Sequence, residues 1–403
     1  MTTILKRVNR VYKKQNPSSY IAPSRININN LMKSREKLLF NLKFPKKMFF
    51  NAELIDLGSG SGLYSLVYNK YGANCTLVEY EKKFCQSAKK LFKKFADSKF
   101  KIIKGDILKL KIKKKFDIVT CNGVAHHTLD PDKVLKLACS LVKKNGFLIW
   151  GIGNKSGFFQ RAIQRIILYK ISKNDEDIIK FSKILFSKHL RRASFYGGRT
   201  LDQIIYDTYI NPKINNQSID EIVKIITKNG LNLYSSYPEI ITLNKSIGKV
   251  DTQYKNFISK KKSKTKNKEI YLSEHQWISF TKERHLSNVV TKKINKIENL
   301  KNQISTLLND KNFDNFRVNY QNLAYAITKY NKNLIFLNKV KLIDDDYQIK
   351  FFNELKSLFL LLNNRNLNNR LRFIKIKSFL KKSKFILREK CGVGMTYFIA
   401  MKQ

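Results

Sequence analysis

The stretch ELIDLGSGSGLYSLVYNKYGANCTLVE, residues 53–79, decides the architecture that this chain is expected to adopt. A short apolar segment leads through glycines at positions 58, 60 and 62 into an amphipathic segment, and a second apolar segment then ends at Glu79. This order predicts a strand, a glycine turn, a helix and a second, parallel strand. Glycines at alternate positions allow a tight turn that brings backbone N–H groups close to a ligand.

The same alternation continues to about residue 151. Strands are predicted at 53–57, 74–79, 100–104, 116–121 and 146–151, and helices at 62–71, 82–96 and 131–144. The third helix has a clear start, with Asp130 at the N-cap and Pro131 at the first helical position. Strands that alternate with helices of this length predict an α/β protein with a parallel, doubly wound sheet. Such sheets bind ligands at the carboxyl ends of their strands.

Polar residues follow the strands at that edge. Asp56 and the glycines follow the first strand, Glu79 ends the second, Asp106 follows the third and Asn122 follows the fourth. Glu79 is placed to accept hydrogen bonds from ribose hydroxyls, and Asp106 from an exocyclic adenine amine. A dinucleotide-binding fold would have its third glycine at position 63, where this chain has Leu63.

Five segments in order, ELIDLGSGSG, the acidic strand end at Glu79, KGDIL, FDIVTCNGVAHHTLDP and LVKKNGFLIWG, resemble the motif series of class I S-adenosylmethionine-dependent methyltransferases. The resemblance covers roughly residues 35–153. It implies a transferase, a Rossmann-like sheet of seven strands and S-adenosylmethionine as the cofactor. The residues it assigns to the cofactor are Asp56, Gly58, Ser59, Gly60 and Gly62 at the methionine end, Glu79 at the ribose, Asp106 and Ile107 at the adenine, and Asn122 beside the methyl group.

Two adjacent histidines, His126 and His127, follow Asn122 on the loop expected to face the transferred methyl group. A histidine is suited to act as the general base for a hydroxyl or carbon acid. Neighbouring loop residues rarely point the same way, so we expect at most one of the pair to reach the acceptor. The candidate catalytic residues are therefore His127, His126 and Asn122. The alternative is that both histidines orient the loop or pack against the next helix. No metal site is predicted, because no carboxylate or cysteine set lies nearby in the sequence.

The acceptor class follows from two motifs that the fourth strand end lacks. Enzymes that methylate the exocyclic amines of nucleobases usually have a Pro-Pro-aromatic motif after this Asn, whereas Asn122 is followed by Gly123. Methylation of cytosine at C5 needs a nucleophilic Cys in a Pro-Cys pair, whereas Cys121 follows Thr120. The prediction is O- or C-methylation of a small metabolite or of a sugar- or lipid-linked intermediate. Two alternatives stay open: methylation of RNA or protein docked on a basic insertion, and a non-catalytic binding protein that retains the cofactor fold.

The second half of the chain is expected to complete the sheet around an insertion. The segment at 154–172 has an amphipathic helical pattern and could cap the crevice, lie on an anionic membrane or pack on the domain. Ser218 and Glu221 form a capping box before a helix and a sixth strand at 231–237. The last residues, CGVGMTYFIAMKQ, have strand propensity. The predicted domains are an N-terminal helical cap segment at 1–45, the methyltransferase domain at 46–244, a basic helical insertion at 245–388 and a returning strand at 389–403.

Composition adds weaker expectations. The chain has 79 Lys and Arg against 30 Asp and Glu, a net charge of +49. The excess is spread along the chain, which favours a compositional habit over a nucleic-acid partner, while peripheral contact with an anionic membrane stays open. Five cysteines without CxxC spacing argue against a zinc site or a complete disulfide framework. With no transmembrane segment or signal peptide predicted, a cytoplasmic location is expected.

Overall fold

A computed structural model describes the chain at residues 28–155, 158–197, 199–212, 214–237, 319–339, 346–383 and 394–403, at Val8 and Val11, and at isolated positions from 292 to 307. Predictions for most of residues 1–27, for the basic stretch at 260–268 and for Gly392 lie outside the described residues.

A single sheet of seven strands organises the molecule. The strands are β1 (Glu53–Leu57), β2 (Asn74–Glu79), β3 (Phe100–Lys104), β4 (Phe116–Asn122), β5 (Val142–Gly153), β6 (Leu231–Tyr237) and β7 (Met395–Lys402). Their order in the sheet is β3-β2-β1-β4-β5-β7-β6. β1 to β5 are parallel, and β7 runs antiparallel to both of its neighbours. The predicted fold class, a seven-stranded α/β sheet with a helical insertion before its last strand, is confirmed.

Helices cover both faces of the sheet and build a further layer beyond it. They are α1 (Ile28–Asn41), α2 (Leu63–Lys70), α3 (Lys82–Phe95), α4 (Pro131–Leu141), α5 (Phe159–Ile171), α6 (Asp175–Leu185), α7 (Ser187–Gly197), α8 (Leu201–Ile205), α9 (Ile219–Lys228), α10 (Tyr320–Lys339), α11 (Asp346–Asn363) and α12 (Asn369–Lys382). A π-helical turn, Tyr206–Ile210, continues α8. None of the helices in the described part combines the length and apolar character needed to cross a membrane.

The local signals that predicted helices act as expected. Asp130 caps α4 by accepting a hydrogen bond from the backbone N–H of Lys133 at 2.8 Å. In the capping box of α9, the Ser218 hydroxyl and the Glu221 carboxylate each accept from the other's backbone N–H. Each cap satisfies donors that the first helical turn leaves without partners. On α3, the apolar residues Phe84, Ala88, Leu91 and Phe92 recur at helical spacing and are buried, so that its lysines face outward.

The boundary between α4 and β5 differs from the prediction. The helix was expected to reach residue 144 and the strand to begin at 146, but α4 ends at Leu141 and β5 begins at Val142. Val142 is buried and pairs with Phe116 on β4. The ladder is irregular beyond this pair, where Asn145 takes a positive φ of 61°. Pairing across the sheet, which the helical spacing of the sequence does not encode, sets this boundary.

The C-terminal strand lies inside the sheet. β7 pairs with β5 on one side and β6 on the other. Phe398 and Ile399 are both buried and face opposite sides, one in each hydrophobic cluster that flanks the sheet. An interior strand with two neighbours contributes hydrogen bonds to both and apolar surface to two cores.

Two segments far apart in the sequence share one helical core. The buried apolar residues of α5 to α8 and of the π-helical turn form a single cluster with those of α10, α11 and α12. The apolar face of α5, including Ile163, Ile166 and Ile167, lies in this cluster. Of the three interpretations of α5, packing within the protein is therefore the one observed for this face. We name this cluster the helical core.

The domain boundaries stay a prediction, since residues 238–291 and 384–393 lie outside the described part. Two observations bear on them. Leu39, Leu42 and Phe44 pack into a hydrophobic cluster of the sheet, so α1 joins the core of the strands. α5 to α8 join the helical core instead, although they precede β6 in the chain. We propose that α5 to α8 and α10 to α12 form one helical unit.

Candidate functional site

The glycine loop after β1 has a backbone conformation that favours glycine. Gly58, Gly60 and Gly62 all have positive φ, at 77°, 57° and 80°. The backbone N–H of Gly58 donates to the carbonyl of Val78 at 2.9 Å, which ties the loop to the end of β2. Gly60 has open space where a Cβ would be, with no atom within 4 Å. A ligand can therefore approach the loop backbone at Gly60.

The loop after β4 packs directly on this glycine loop. A Cβ on Gly58 would lie 2.5 Å from Cγ1 of Val124, which is closer than any real contact. Val124 immediately precedes the 3₁₀ turn Ala125–His127, in which both histidines lie. The two loops predicted to meet at the carboxyl edge of the sheet are thus in contact.

This contact predicts a difference between two glycine substitutions. Gly58→Ala and Gly60→Ala both force a positive φ on alanine, at a cost of about 1–2 kcal/mol each. We expect Gly58→Ala to lower the free energy of unfolding by about 1–3 kcal/mol more, because its methyl group overlaps Val124. Denaturant unfolding of the free protein measures both. The extra loss should disappear when Val124→Ala is the common background, and an equal loss at both glycines would contradict the packing.

Glu79 binds the glycine loop from the end of β2. Its carboxylate accepts hydrogen bonds from the backbone N–H of Gly60 at 2.8 Å and of Glu81 at 2.9 Å. The side chain is buried, and burial raises its pKa in spite of these two donors. Each carboxylate oxygen can accept a second hydrogen bond, so Glu79 retains the capacity to bind hydroxyls.

Asp56 lies beneath the glycine loop on β1. Its Oδ2 accepts a hydrogen bond from the Ser65 hydroxyl at 2.5 Å. The residue is 4% exposed, and burial raises the pKa of its carboxyl to about 6, against the opposing effects of Ser65 and the positive charge of Arg35. An ionised Asp56 is thus a costly buried anion for which a bound cation would compensate.

Arg35 is a site residue that sequence reasoning missed. It comes from α1, is buried, and its guanidinium lies 3.3 Å from the centroid of the Tyr64 ring on α2. Its positive charge also lowers the pKa of Asp56. The N-terminal segment therefore brings a buried guanidinium to the glycine loop. The charge run around position 35 looks like any other solvated basic segment, so the sequence carries no signal for this placement.

Asp106 and Ile107 follow β3 as predicted. Asp106 is the N-cap of a 3₁₀ turn and accepts from the backbone N–H of Leu108 at 2.9 Å. Ile107 is buried in the cluster that flanks the sheet. The backbone N–H of Gly105 donates to the carbonyl of Glu79, so this turn adjoins the end of β2. Asp106 and Glu79 thus occupy neighbouring strand ends.

Asn122 closes the other side of the crevice. Its Nδ2 donates to the Thr120 hydroxyl at 2.5 Å, and Thr120 pairs with Asp56 across β1 and β4. Within the described part of the chain, Asn122 Oδ1 and the hydroxyl of Ser59 are buried without a hydrogen-bond partner. Two orphaned polar atoms beside a glycine loop and two buried carboxylates fit a polar ligand that bears hydroxyl and ammonium groups.

The two histidines have different surroundings. His126 is 6% exposed, and burial, helped by neighbouring His127 and by the positive charge of Arg161, holds its pKa well below its ordinary value. Its Nδ1 has no hydrogen-bond partner among the described residues. His127 is partnered through both ring nitrogens: Nδ1 lies 3.1 Å from Asn211 Nδ2, and Nε2 lies 3.4 Å from Asp207 Oδ1.

Asp207 lies on the π-helical turn and links three side chains. Its Oδ2 accepts from Arg199 at 2.7 Å while Oδ1 faces His127. Burial alone would raise the pKa of Asp207, but His127 and Arg199 outweigh it and the pKa is lowered. The side chains of His127 and Asp207 are 13% and 18% exposed. The result is an aspartate held ionised beside a histidine of the loop after β4.

The polypeptide after the π-helical turn anchors the histidine loop. The backbone N–H of Asn215 donates to the carbonyl of His126 at 2.7 Å, and its side-chain amide donates to the carbonyl of Thr128 at 3.1 Å. Asn211 Nδ2 is a donor, so it fixes the Nδ1 of His127 as the acceptor nitrogen and leaves the proton on Nε2, toward Asp207. The loop and the helical unit thus hold each other in place.

Comparison with known proteins identifies the first part of the sheet. Residues 55–150 match the family model described as a methyltransferase domain. This match covers β1 to β5 with the glycine loop, Glu79, Asp106 and Asn122. This part of the chain, residues 55–150, is thus a methyltransferase domain, as the resemblance of the motif series implied.

The methyltransferase domain has named relatives of modest similarity. The chain is 31% identical over 118 residues to the ubiquinone biosynthesis O-methyltransferase of Pelagibacter ubique, which covers 29% of this chain and 48% of the relative. It is 30% identical over 112 residues to the enzyme of the same name from Colwellia psychrerythraea, covering 28% of this chain and 46% of the relative. The chain spans about half the length of these relatives.

Solved methyltransferase structures superpose on the chain with low TM-scores. Magnesium protoporphyrin IX methyltransferase from Synechocystis, solved with bound S-adenosylmethionine, aligns with a TM-score of 0.33 and 14% identity over 58% of this chain and 84% of that one. An S-adenosylmethionine-dependent methyltransferase from Mesorhizobium loti aligns with a TM-score of 0.32 and 11% identity over 50% of this chain and 82% of that one.

Several residues around the methyltransferase domain were not anticipated. Asp207, Arg199 and Asn211 reach the histidine loop from positions more than 70 residues later in the chain. The sequence prediction noted that no carboxylate lay near the histidines, and in the fold Asp207 supplies one. The described residues contain no group of three or more His, Cys, Asp or Glu that could hold a metal ion.

Proposed function

We propose that this protein transfers the methyl group of S-adenosylmethionine to a hydroxyl oxygen of a small-molecule acceptor, with His127 as general base and Asp207 as the group that orients it. The observation that carries the proposal is the contact of His127 with Asp207, beside a loop that packs on the glycine loop. A base held by an ionised partner suits a hydroxyl acceptor, whose proton must be removed. The relatives in Pelagibacter ubique and Colwellia psychrerythraea are named as O-methyltransferases.

The cofactor assignment uses the buried charges. Asp56 would bind the ammonium group of the methionine end, and Arg35 would bind its carboxylate. Glu79 would accept from the ribose hydroxyls, while Asp106 and Ile107 would contact the adenine. This order is supported by the charge of Arg35, which lowers the pKa of Asp56, and by Glu79, which accepts from the backbone N–H of Gly60. S-adenosylmethionine supplies a methyl group on a sulfonium, which leaves as a neutral thioether.

The side chains on the acceptor side would remove one proton. The acceptor hydroxyl would take the place of the Asn211 amide at His127 Nδ1, and the proton would move from the hydroxyl to that nitrogen as the oxygen attacks the methyl carbon and the carbon–sulfur bond breaks. The imidazolium so formed has Nε2–H directed at Asp207, whose charge stabilises it. His127 and Arg199 together lower the pKa of Asp207 and so favour its ionised form.

His126 has a different role in this proposal. Its lowered pKa makes it a weak base, because a base works best when its pKa is near the operating pH. A neutral, buried imidazole is nevertheless a good hydrogen-bond partner for a bound molecule. We assign His126 to acceptor binding and His127 to proton removal.

The proposed reaction can be tested without knowing the acceptor. Full-length protein is incubated with S-adenosylmethionine labelled with tritium in the methyl group, together with a small-molecule extract, total RNA and total protein of the source cells in separate reactions. We expect the label in the small-molecule fraction, bound to the acceptor as a stable methyl ether. Label in RNA or protein alone would contradict the proposal and favour a macromolecular acceptor. Absence of S-adenosylmethionine binding by isothermal titration would remove the enzymatic function altogether.

A further inference from the structure

Helix α12 packs on the helical core through one of its faces. Ile376 and Leu380 on this face are buried in the core, and Arg372 is also buried. The rings of Phe373 and Phe379 pack against the same core. These contacts fix which face of α12 points away from the protein.

The outward face of α12 exposes aliphatic side chains. Leu371 is 46% exposed and Ile374 is 52% exposed. Residues three apart lie on the same side of a helix, so the two side chains are neighbours. The helical spacing also places them on the side opposite to the buried Ile376 and Leu380. The outer face of a packed helix normally carries polar residues, so this aliphatic pair needs an explanation.

Basic side chains border the aliphatic pair on both sides. The helix contains no acidic residue. Because successive residues are rotated by about 100° around the helix axis, its exposed basic residues fall along the two edges of the pair. They are Arg370, Lys377 and Lys381 along one edge, and Lys375 and Lys382 along the other. We name Leu371, Ile374 and these five basic residues the α12 outer face.

Helix α3 shows that a basic composition alone does not produce this arrangement. Like α12, it carries six basic residues and no acidic one. Its apolar residues Phe84, Ala88, Leu91 and Phe92 are buried, and its exposed positions hold only lysines and Gln86. The two helices therefore match in charge, but α12 places aliphatic groups among its exposed basic residues and α3 does not.

We infer that the α12 outer face docks on an anionic lipid bilayer, with Leu371 and Ile374 inserted at the boundary between headgroups and acyl chains. A helix that lies in the membrane interface buries its apolar stripe at this boundary, while the long side chains of flanking lysines reach back to the lipid phosphates. Anionic headgroups supply the charge opposite to that of the five basic residues. Nucleic acid would also match this charge, but its bases stack on aromatic and arginine side chains and not on aliphatic ones. The inference does not depend on the proposed methyl transfer.

Sedimentation with lipid vesicles tests the docking on the full-length protein. Phosphatidylcholine vesicles are compared with vesicles in which about one third of the lipid is phosphatidylglycerol. We expect the protein to sediment with the anionic vesicles only, because two aliphatic side chains are too few to hold it on a neutral surface. The double substitution Leu371→Ser and Ile374→Ser should lower the partition coefficient about tenfold.

The serine variant should keep its fold, because both substituted side chains are exposed in the free protein. Denaturant unfolding should therefore give nearly the free energy of unfolding of the unchanged protein. Failure of the unchanged protein to sediment with anionic vesicles would overturn the inference. So would a serine variant that is stably folded and partitions as the unchanged protein does.

Charge substitutions separate the α12 outer face from the overall charge of the chain. Lys375→Gln with Lys382→Gln removes two charges from this face, and the matched control, Lys89→Gln with Lys93→Gln, removes two from α3. The α12 pair should lower the partition coefficient about tenfold or more, because these lysines would lie at the headgroups. The α3 pair should lower it less than about twofold, because salt screens charges held away from the surface. Equal losses in the two pairs would show that the net charge of +49 attracts the vesicles without a particular face, and would overturn the inference.

A second copy of the chain is the other occupant that an aliphatic face could have. Sedimentation velocity of the free protein distinguishes the two occupants. We expect the unchanged protein and the serine variant to have the same sedimentation coefficient. A dimer that the serine substitutions dissociate would make this face a contact between copies and overturn the membrane docking.

Discussion

A chain that ends at residue 388 is expected not to fold. It lacks β7, which lies between β5 and β6 and pairs with both. Without β7, β6 has no neighbour and the edge of β5 is left bare. The loss removes Phe398 from one face of the sheet and Ile399 from the other. We expect no cooperative unfolding transition in denaturant, since the hydrogen bonds of two ladders and the apolar contacts of two cores disappear together.

Point substitutions separate the strand from the length of the chain. Phe398→Ala and Ile399→Ala in the full chain should each lower the free energy of unfolding by about 2–5 kcal/mol, because both side chains are fully enclosed. Removal of the exposed Gln403 alone should have almost no effect. A chain ending at 388 that unfolded with the stability of the full chain would show that β7 is dispensable, against the observed strand order.

The strands could be predicted because each is specified locally. β1, β2, β3 and β6 begin and end where the sequence predicts. β1 and β2 are largely buried parallel strands with apolar runs, and glycines or charged residues interrupt the chain beside them. The start of β5 could not be predicted in the same way. Val142, Lys143 and Lys144 continue the helical spacing of α4, and only the pairing of Val142 with Phe116 places them in the sheet.

The residues of the candidate site also differ in how well the sequence predicts them. The residues assigned to the cofactor lie within a few positions of a strand end, so the order of motifs along the chain was enough to bring Asp56, Glu79 and Asp106 to one edge. Arg35 and Asp207 come from segments whose contacts with that edge depend on how helices pack. Nothing in the segment LDQIIYDTYI marks Asp207 as the partner of a histidine. Sequence reasoning therefore found the histidines but not the carboxylate that distinguishes them.

Packing in the helical core fixes the position of the turn that carries Asp207. The neighbours of Asp207 on the π-helical turn, Tyr206, Tyr209 and Ile210, are buried in that core. π-helical turns are rare and occur often at functional sites, because the extra residue redirects side chains. The turn projects Asp207 toward His127 while its apolar residues stay in the core. The helical unit thus supplies one half of the proposed catalytic pair, and the methyltransferase domain supplies the other.

Asp207→Asn is expected to lower kcat by about 10²–10⁴-fold, the range in which a well-placed general base contributes. The substitution keeps the shape of the side chain but removes the charge that would stabilise protonated His127. His127→Ala should lose a similar factor, and the double variant should be little worse than either single one, because the two residues act as a unit. Affinity for S-adenosylmethionine, measured by isothermal titration, should stay near that of the unchanged protein, since neither residue is among those proposed to bind the cofactor.

The same substitutions distinguish catalysis from damage to the fold. Asp207→Asn also breaks the ion pair with Arg199, and Arg199→Gln breaks that pair from the other side while leaving Asp207 beside His127. Both variants should lose stability, since removing one partner of a largely buried pair leaves the other charge uncompensated. If the loss of kcat came from stability alone, Arg199→Gln would match Asp207→Asn. We expect a much smaller loss of kcat in Arg199→Gln. In His126→Ala the main effect should be a higher KM for the acceptor, because the proton is removed by His127 and not by its neighbour.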